Sequence, residues 1–401
     1  MTDILIPSDD YTIGDLVVDK PHVDLVLEQL DRVLKPTVTV ERTAEDADLD
    51  LCLITLAGVP EFAASKGQVE EGAAITAVLD ELRRAFADEY GGWQPEMEGN
   101  ARVTGVVGFG HTKPMQGGEL TSVGPPPWST GLTGSDGAGV RVAVLDTGLY
   151  AHEVLDGHAT AAPGSLLALE PGPLPAWKGH ATFVAGVIAQ AAPGCAIVVH
   201  EVLDDDGRAT IWETAVALAK LAKDPAPYDI INLSLGCRVG AATGPLALRR
   251  AVSLHQGRSL LVAAAGNHGE SAAPILPVWP AALPGVTAVG STRPGPGPAM
   301  EHLSPITPLV PWVDCCAVGE RVTSTYLDGK VGTLGTTTEF AKYASWSGTS
   351  FAAAAVSGAV AAAMRPGERA AAALERLLRE PSGIEPFDRR TARHAKPDDE
   401  K

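Results

Sequence analysis

The chain carries a serine, a histidine and an aspartate whose local sequences suit nucleophilic catalysis. Ser350 lies in SWSGTSFAAAAVSG, where Gly348 permits a tight approach and an apolar helix is predicted to begin. A serine hydroxyl becomes a good nucleophile only when a base within hydrogen-bonding reach accepts its proton. His180, in KGHATFVAGVIA, is the candidate base, and Asp146, in VRVAVLDTG, would hold the second ring nitrogen.

Each of these residues also has an ordinary structural interpretation. An aspartate before Thr-Gly at a strand end is a common turn, and a histidine or serine at a helix start is often a cap. Their joint occurrence in the order Asp146, His180, Ser350, with Asn267 between the last two, favours catalysis instead.

The elements that must position these residues are predicted from Val140 onward, where apolar, strand-like runs alternate with helical stretches. Strands this apolar are buried on both faces, which requires a mostly parallel, doubly wound α/β sheet. Ligands of such sheets bind at the carboxyl ends of the strands. Polar residues end three of the predicted strands, namely Asp146, the pair Asn232 and Ser234, and Asn267. The scattered side chains are therefore predicted to converge at one edge.

The order of these motifs resembles that of the subtilisin-like (S8) serine peptidases. The resemblance spans about Val140 to Met364. The matching segments are VAVLDTG around Asp146, GHATFVAGVIA around His180, INLSLG around Ser234, AAAGN around Asn267 and SGTSFAAAAVSG around Ser350.

The resemblance implies roles for further residues. Asn267 and the backbone N–H of Ser350 would form the oxyanion hole. The remaining implied residues would bind substrate: one wall of the S1 pocket, the facing wall, and an edge segment that pairs with an extended peptide. These are Ser234, Leu235 and Gly236, then Ala264, Ala265 and Gly266, then Gly207, Arg208 and Ala209.

The sequence departs from the family pattern at a few positions. Ala181 follows the histidine where glycine is usual, and Ala354 and Ala355 stand where proline and histidine are common. None of these changes removes a reacting group, although they bear on substrate fit and rate. Arg208 beside the acidic run Asp204–Asp206 suggests charged groups in the outer subsites, or simply a solvated loop.

Residues 1–108 are predicted to form a separate small α+β domain. The pattern is β-α-β-β-α-β, which is ferredoxin-like. It resembles the propeptide of subtilisin-like enzymes, which implies an intramolecular inhibitor and folding chaperone removed by self-cleavage; a permanent accessory domain is the alternative. The predicted elements are strands at Ile13–Val18, Thr37–Val40, Asp48–Leu56 and Val103–Val107, and helices at His22–Leu34 and Ala73–Phe86. Residues 109–137 are predicted as the linker, 138–380 as the peptidase domain and 381–401 as a charged tail.

Composition narrows the classes of partner and the compartment. With 31 Lys and Arg against 49 Asp and Glu, the formal charge of −18 disfavours nucleic acids and anionic membranes. The N-terminus does not have the pattern of a signal peptide, and no run of about 18 apolar residues is free of charge or proline. Five sparse cysteines fit a reducing compartment, so a cytoplasmic location is expected.

We expect no required cofactor, because neither the adjacent Cys315 and Cys316 nor any carboxylate loop has the spacing of a metal site. Calcium, common in the family, would at most bind near Asp204–Asp206. The predicted function is a serine endopeptidase that acts on polypeptides through an acyl-enzyme intermediate. Two alternatives remain: a maturation protease or transpeptidase for one peptide precursor, and an inactive peptide-binding scaffold.

Overall fold

The computed structural model describes residues 11–67, 74–105, 120–168, 172–240, 242–269, 276–296, 299–333, 336–380 and 383–387. Residues 106–119 and 388–401, on which parts of the predicted linker and tail fall, lie outside the described residues. The strands are β1 (Tyr11–Asp19), β2 (Thr39–Asp46), β3 (Leu51–Ala57), β4 (Met97–Thr104), β5 (Thr121–Ser122), β6 (Arg141–Asp146), β7 (Ala159–Ala161), β8 (Leu174–Pro175), β9 (Ala196–Glu201), β10 (Arg208–Thr210), β11 (Ile230–Leu233), β12 (Leu260–Ala264), β13 (Val286–Thr292), β14 (Cys315–Val318), β15 (Val322–Thr333), β16 (Thr336–Trp346) and β17 (Glu385–Pro386). The helices are α1 (Val23–Leu34), α2 (Val59–Ser65), α3 (Ala74–Glu89), α4 (His180–Ala191), α5 (Ile211–Ala222), α6 (Leu246–Ser253), α7 (Thr349–Ala363) and α8 (Ala370–Leu377).

The chain divides into two compact units. The first contains Met1–Val103, Ala209–Lys220 and Cys237–Leu254, and the second contains Thr104–Arg208, Leu221–Gly236 and His255–Lys401. No helix in the described part of the chain is long and apolar enough to cross a bilayer.

The first unit contains an antiparallel sheet in the order β4-β1-β3-β2, with β10 beside β4. The amphipathic helices α1 and α3 bury Val26, Leu30, Val78 and Leu82 in its core. The predicted order β-α-β-β-α-β is present, with α2 added between β3 and α3.

The last strand of this unit differs from its prediction, because β4 begins at Met97, six residues before the predicted start at Val103. Its residues at alternate positions are buried, as a strand with one inner face requires. Gly99 and Asn100 hide the pattern in the sequence, because both residue types are depleted in strands.

Glu98 of β4 caps the N-terminus of α6 within the first unit. Its carboxylate accepts hydrogen bonds from the backbone N–H groups of Leu246 at 2.6 Å and Ala247 at 3.1 Å. Burial raises the pKa of Glu98 to about 7, although these two bonds and the Arg249 charge act in the opposite direction. The carboxyl group therefore holds a proton more tightly in the folded chain than at its ordinary pKa of 4.5.

A group whose folded pKa is raised in this way takes up a proton on folding. The free energy of unfolding that it contributes therefore falls as pH rises from about 4.5 to about 7, and it keeps this lower value above pH 7. We expect Glu98→Gln, which cannot titrate, to lose this contribution. Urea unfolding of both proteins at pH 5 and pH 8 checks it: wild type should lose stability relative to the variant. The exposed Glu61→Gln is the matched control, and parallel profiles for wild type and Glu98→Gln would contradict the prediction.

The second unit is built on a sheet in the order β17-β14-β13-β12-β11-β6-β9-β7. All of its strand pairs except β14–β17 are parallel. Strands β6, β11 and β12 are almost entirely buried, as their continuous apolar runs predict. This is the predicted α/β class with a mostly parallel sheet.

Helices α4 and α7 pack against each other on this sheet. Helix α7 contacts β11, β12 and β13, and α4 contacts β6, β9 and β15. The close approach of β15 to α4 depends on glycine: a Cβ on Gly186 of α4 would collide with the hydroxyls of Ser324 and Thr325, which donate to the carbonyls of Phe183 and Thr182. The glycine thus lets β15 bond directly to the backbone of α4.

Gly186→Ala should destabilise the protein by about 2 kcal/mol or more, because the methyl group must displace two buried, hydrogen-bonded hydroxyls. Gly332→Ala, at an exposed position of β15 where a Cβ meets only the Leu174 carbonyl at 3.9 Å, is the control and should change stability by less than about 0.5 kcal/mol. Equal unfolding free energies for the two variants would refute the packing argument.

Candidate active site

Asp146 is the last residue of β6 and is fully buried at the carboxyl edge of the sheet. One carboxylate oxygen accepts a hydrogen bond from the backbone N–H of Thr147 at 2.8 Å. Both oxygens lie 2.8 Å from Nδ1 of His180. The two residues, 34 positions apart in the sequence, therefore form the aspartate–histidine pair that the sequence predicts.

His180 is the first residue of α4, and its ring is fully buried. The aromatic rings of Trp177, Trp346 and Phe351 surround the imidazole at centroid separations of 5.3, 5.5 and 5.6 Å. Its Nε2 has no hydrogen-bond partner among the described residues, so the imidazole and the hydroxyl of Ser350 are not bonded in this conformation. The pairing of Nδ1 with Asp146 leaves Nε2 as the nitrogen available to a reacting group.

Ser350 is the second residue of α7, where the first backbone N–H groups of a helix lack partners within the helix. Its Oγ lies 3.3 Å from the carbonyl oxygens of Ser234 and of Gly105. Its own carbonyl accepts a hydrogen bond from the Ser234 hydroxyl at 3.0 Å. The serine is therefore held against the end of β11.

Asn267 lies three residues beyond β12 and contacts the residue before Ser350. Its Oδ1 accepts from both the backbone N–H and the hydroxyl of Thr349, each at 2.9 Å. These two bonds fix the orientation of the amide group and therefore the position of Nδ2, which is buried and has no partner among the described residues. A Cβ built on Gly348 would lie 3.5 Å from that nitrogen, so glycine leaves space beside it.

A chain of hydrogen bonds fixes α7 to β11. Oγ of Ser234 lies 2.8 Å from Oδ1 of Asn232, so its single proton is shared between this oxygen and the Ser350 carbonyl. Nδ2 of Asn232 donates to the Ser357 hydroxyl at 3.1 Å. All four residues are fully buried. Buried polar groups that satisfy one another in this way set the position of the helix and of the serine on it.

Thr104 and Gly105 form an extended strand that passes through this site within the second unit. Thr104 and Gly236 exchange two backbone hydrogen bonds of 2.9 Å, and Gly105 donates to the Gly207 carbonyl at 2.9 Å. The strand therefore pairs with one of the predicted substrate-binding segments on each side, which is strand addition.

The other predicted binding residues are in part adjacent to this strand. Leu235 and the run of Ala264, Ala265 and Gly266 are buried, and Gly266 donates to the Thr349 hydroxyl at 3.2 Å. Arg208 is exposed and pairs with Asp206 at 3.7 Å. That the two buried segments bound an S1 pocket stays a prediction.

Ala181 and Ala354, which stand where the family usually has glycine and proline, are accommodated by the local backbone. Ala181 lies in α4, and its N–H donates to the Thr147 hydroxyl at 3.2 Å. Ala354 lies inside α7. Neither residue has a positive φ, so neither methyl group is strained by the backbone.

Sequence reasoning missed two residues of the site: Thr349, which positions Asn267, and Trp177, which covers His180. It named Asn232 at a strand end without a role, and the structure shows that Asn232 anchors α7. The TS dipeptide before the buried helix was the available signal for Thr349. The position of Trp177 had no signal, because it depends on tertiary packing.

The chain is similar to the proteins of one known family. Residues 137–376 match the model of the subtilase family. Subtilisin BL of Lederbergia lenta is 35% identical over 249 residues, which are 59% of this chain and 79% of that protein. Thermitase of Thermoactinomyces vulgaris is 31% identical over 275 residues, 62% and 84% of the two chains.

A solved structure shares the fold. Fervidolysin from Fervidobacterium pennivorans, described as a keratinolytic enzyme related to subtilisin, superimposes with a TM-score of 0.58 at 19% identity. The match covers 90% of this chain and 56% of fervidolysin.

The chain belongs to the subtilase family. The enzyme class predicted from the sequence, a subtilisin-like serine endopeptidase, is confirmed by this membership, and the fold class is confirmed by the structural match.

Thr349→Val should lower kcat for peptide hydrolysis roughly 10-fold with little change in KM. The variant removes the hydroxyl that holds the amide of Asn267, the predicted oxyanion donor. Thr349→Ser keeps that hydroxyl and should restore most of the rate. Steady-state kinetics of both variants checks this. Equal rates for valine and serine at position 349 would show that the hydroxyl does not position Asn267.

Proposed function

We propose that Ser350 is the nucleophile, His180 the general base and acid, Asp146 the residue that orients His180, and Asn267 the oxyanion donor. One observation carries the proposal. Two buried nitrogens have no partner among the described residues: Nε2 of His180 and Nδ2 of Asn267. The His180 ring packs against Phe351, and Asn267 accepts a hydrogen bond from Thr349, so the two side chains contact the residues on either side of Ser350. A buried polar atom without a partner costs about 1–3 kcal/mol, so a binding or catalytic role explains two of them at one serine.

The reaction follows from these positions. A rotation of the Ser350 side chain away from the Ser234 carbonyl brings its hydroxyl to Nε2 of His180, which accepts the proton as Oγ attacks the substrate carbonyl. Asp146 stabilises the imidazolium through Nδ1. Nδ2 of Asn267 and the N–H of Ser350 donate to the oxyanion, and the positive end of the α7 dipole adds to this stabilisation.

The tetrahedral intermediate then collapses. The carbon–nitrogen bond breaks as His180 returns its proton to the leaving amine, and the acyl group stays on Ser350. Water, deprotonated by His180, attacks the acyl-enzyme and releases the acid. The substrate is a polypeptide, bound as an extended strand between the segments at Gly207 and Gly236.

We also propose that the N-terminal domain, residues 1–108, is an intramolecular inhibitor and folding chaperone. The proposal is supported by the strand Thr104–Gly105, whose backbone pairs with Gly236 and Gly207 and whose Gly105 carbonyl lies 3.3 Å from Ser350 Oγ. A chain that occupies the groove between Gly207 and Gly236 in this way excludes other substrates. Self-cleavage would then fall in the residues that follow Gly105, at or before the predicted linker.

A cytoplasmic location stays a prediction from the sequence.

The triad is tested with a fluorophosphonate probe, peptide hydrolysis and mass spectrometry of the N-terminus. Wild type should react with the probe, hydrolyse peptides and lose its N-terminal domain, whereas Ser350→Ala should do none of these. Asn267→Ala should retain labelling and lower kcat about 10²–10³-fold, the cost of removing one oxyanion donor.

Ser122→Ala, at an exposed serine of β5, is the matched control and should behave as wild type. Probe labelling that persists in Ser350→Ala would remove Ser350 as the nucleophile. A wild-type protein that reacts with the probe and keeps its N-terminal domain would overturn the proposed self-cleavage alone.

A further inference from the structure

The position that Gly105 occupies in the groove has no room for a side chain. A Cβ built on Gly105 would lie 2.8 Å from Cζ3 of Trp177 and 3.2 Å from Cδ1 of Leu203. Carbon atoms in packed proteins are about 3.5–4.0 Å apart, so even a methyl group would overlap the indole. Trp177 and Leu203 form a wall on this side of the groove, and glycine is the residue that fits between that wall and the edge at Gly207.

The wall is held from several sides. Lys178, next to Trp177, is buried and forms an ion pair with Asp205 at 2.7 Å. The Tyr326 hydroxyl donates to the Ala176 carbonyl at 2.6 Å, and burial raises the pKa of this phenol, which keeps it neutral as a donor. The indole is therefore fixed by contacts on both of its neighbours in the chain.

The indole itself is also packed on two faces. A Cβ on Gly207, which has a φ of +71°, would lie 2.7 Å from Cδ2 of Trp177. The Trp177 ring lies 5.3 Å from the His180 ring and 5.9 Å from the Trp346 ring. Trp177 cannot swing out of the groove without losing its contacts with His180 and with the Gly207 edge.

The strand register defines which substrate residue meets this wall. In an antiparallel ladder, the residue opposite Ser234 comes two positions after the residue opposite Gly236. The Gly105 carbonyl oxygen lies 3.3 Å from Ser350 Oγ but does not bond Nδ2 of Asn267, which has no partner among the described residues, so it is not the carbonyl held by the proposed oxyanion donor. The Ser234 carbonyl is also 3.3 Å from Ser350 Oγ, so the residue opposite Ser234, next along the strand, supplies the attacked carbonyl. The residue in the Gly105 position is then the second on the acyl side of the scissile bond.

We propose that Trp177, together with Leu203, makes this enzyme select polypeptides with glycine at the second position on the acyl side of the cleaved bond. This inference rests on the proposed function and names the substrate class that the site accepts. Trp177 is a specificity-determining residue here, because it meets the substrate without taking part in bond breakage.

The test uses the full chain, incubated until its peptidase activity is constant, and a pool of peptides with varied residues at every position. Mass spectrometry locates the cleaved bonds. Two peptides identical except for glycine or alanine at the second acyl-side position then give a ratio of kcat/KM. For wild type we expect a glycine-to-alanine ratio of about 10-fold or more, since overpacking of this size carries that penalty.

Trp177→Ala removes the wall and should reduce this ratio to about threefold or less, by raising the rate for alanine. Trp128→Ala is the matched control: this residue is half-buried like Trp177 but contacts Tyr343 instead, and its variant should keep the wild-type ratio. The ratio distinguishes selectivity from a general loss of activity.

A wild-type enzyme that cleaves the alanine peptide as fast as the glycine peptide overturns the inference and leaves the proposed function intact. A Trp177→Ala enzyme that keeps the wild-type ratio overturns the role of the indole. If that variant fails to fold, the wild-type ratio and the glycine content of the cleaved pool still decide the matter. Absence of both hydrolysis and probe labelling in wild type overturns the proposed function and the inference with it.

Discussion

The position of the N-terminus of α7 is the constraint on which the site depends. This helix crosses β11, β12 and β13, and its first turn meets the polar residues at the ends of two of those strands. Ser234 fixes the carbonyl of Ser350, and Asn267 fixes the N–H of Thr349. With these bonds in place, the serine, the amide nitrogen of Asn267 and the first N–H groups of the helix are held in one small region before any substrate arrives. With the proposed roles, such preorganisation would stabilise the oxyanion, which is usually the largest single contribution to catalysis in enzymes of this class.

The sequence predicted the fold of the second unit well, because its strands are long apolar runs whose burial on both faces admits few alternatives. It also predicted the residues that lie at the strand ends. The convergence of Asp146, His180 and Asn267 near Ser350 follows from the parallel order β12-β11-β6, which aligns their carboxyl ends. The chemical roles of these residues are a further step, which rests on the proposal.

What the sequence could not predict depends on contacts between distant segments. The start of β4 was hidden by Gly99 and Asn100, whose strand conformation comes from pairing with β1 rather than from propensity. Trp177 is an ordinary residue of a short 3₁₀ helix, Ala176–Gly179, until packing places it against His180 and Gly207. The orientation of the Asn267 amide likewise follows from Thr349, 82 residues away.

The two-sided pairing of Thr104 and Gly105 also matters for the state that the proposed self-cleavage would produce. If the proposed self-cleavage removes this strand, the backbone groups of Gly236 and the carbonyl of Gly207 become an open edge on each side. Open edges pair with any extended chain of suitable shape, including a frayed segment of another copy of the same enzyme. On that proposal, the edges that bind substrate also limit the concentration at which the liberated enzyme escapes digestion by other copies of itself.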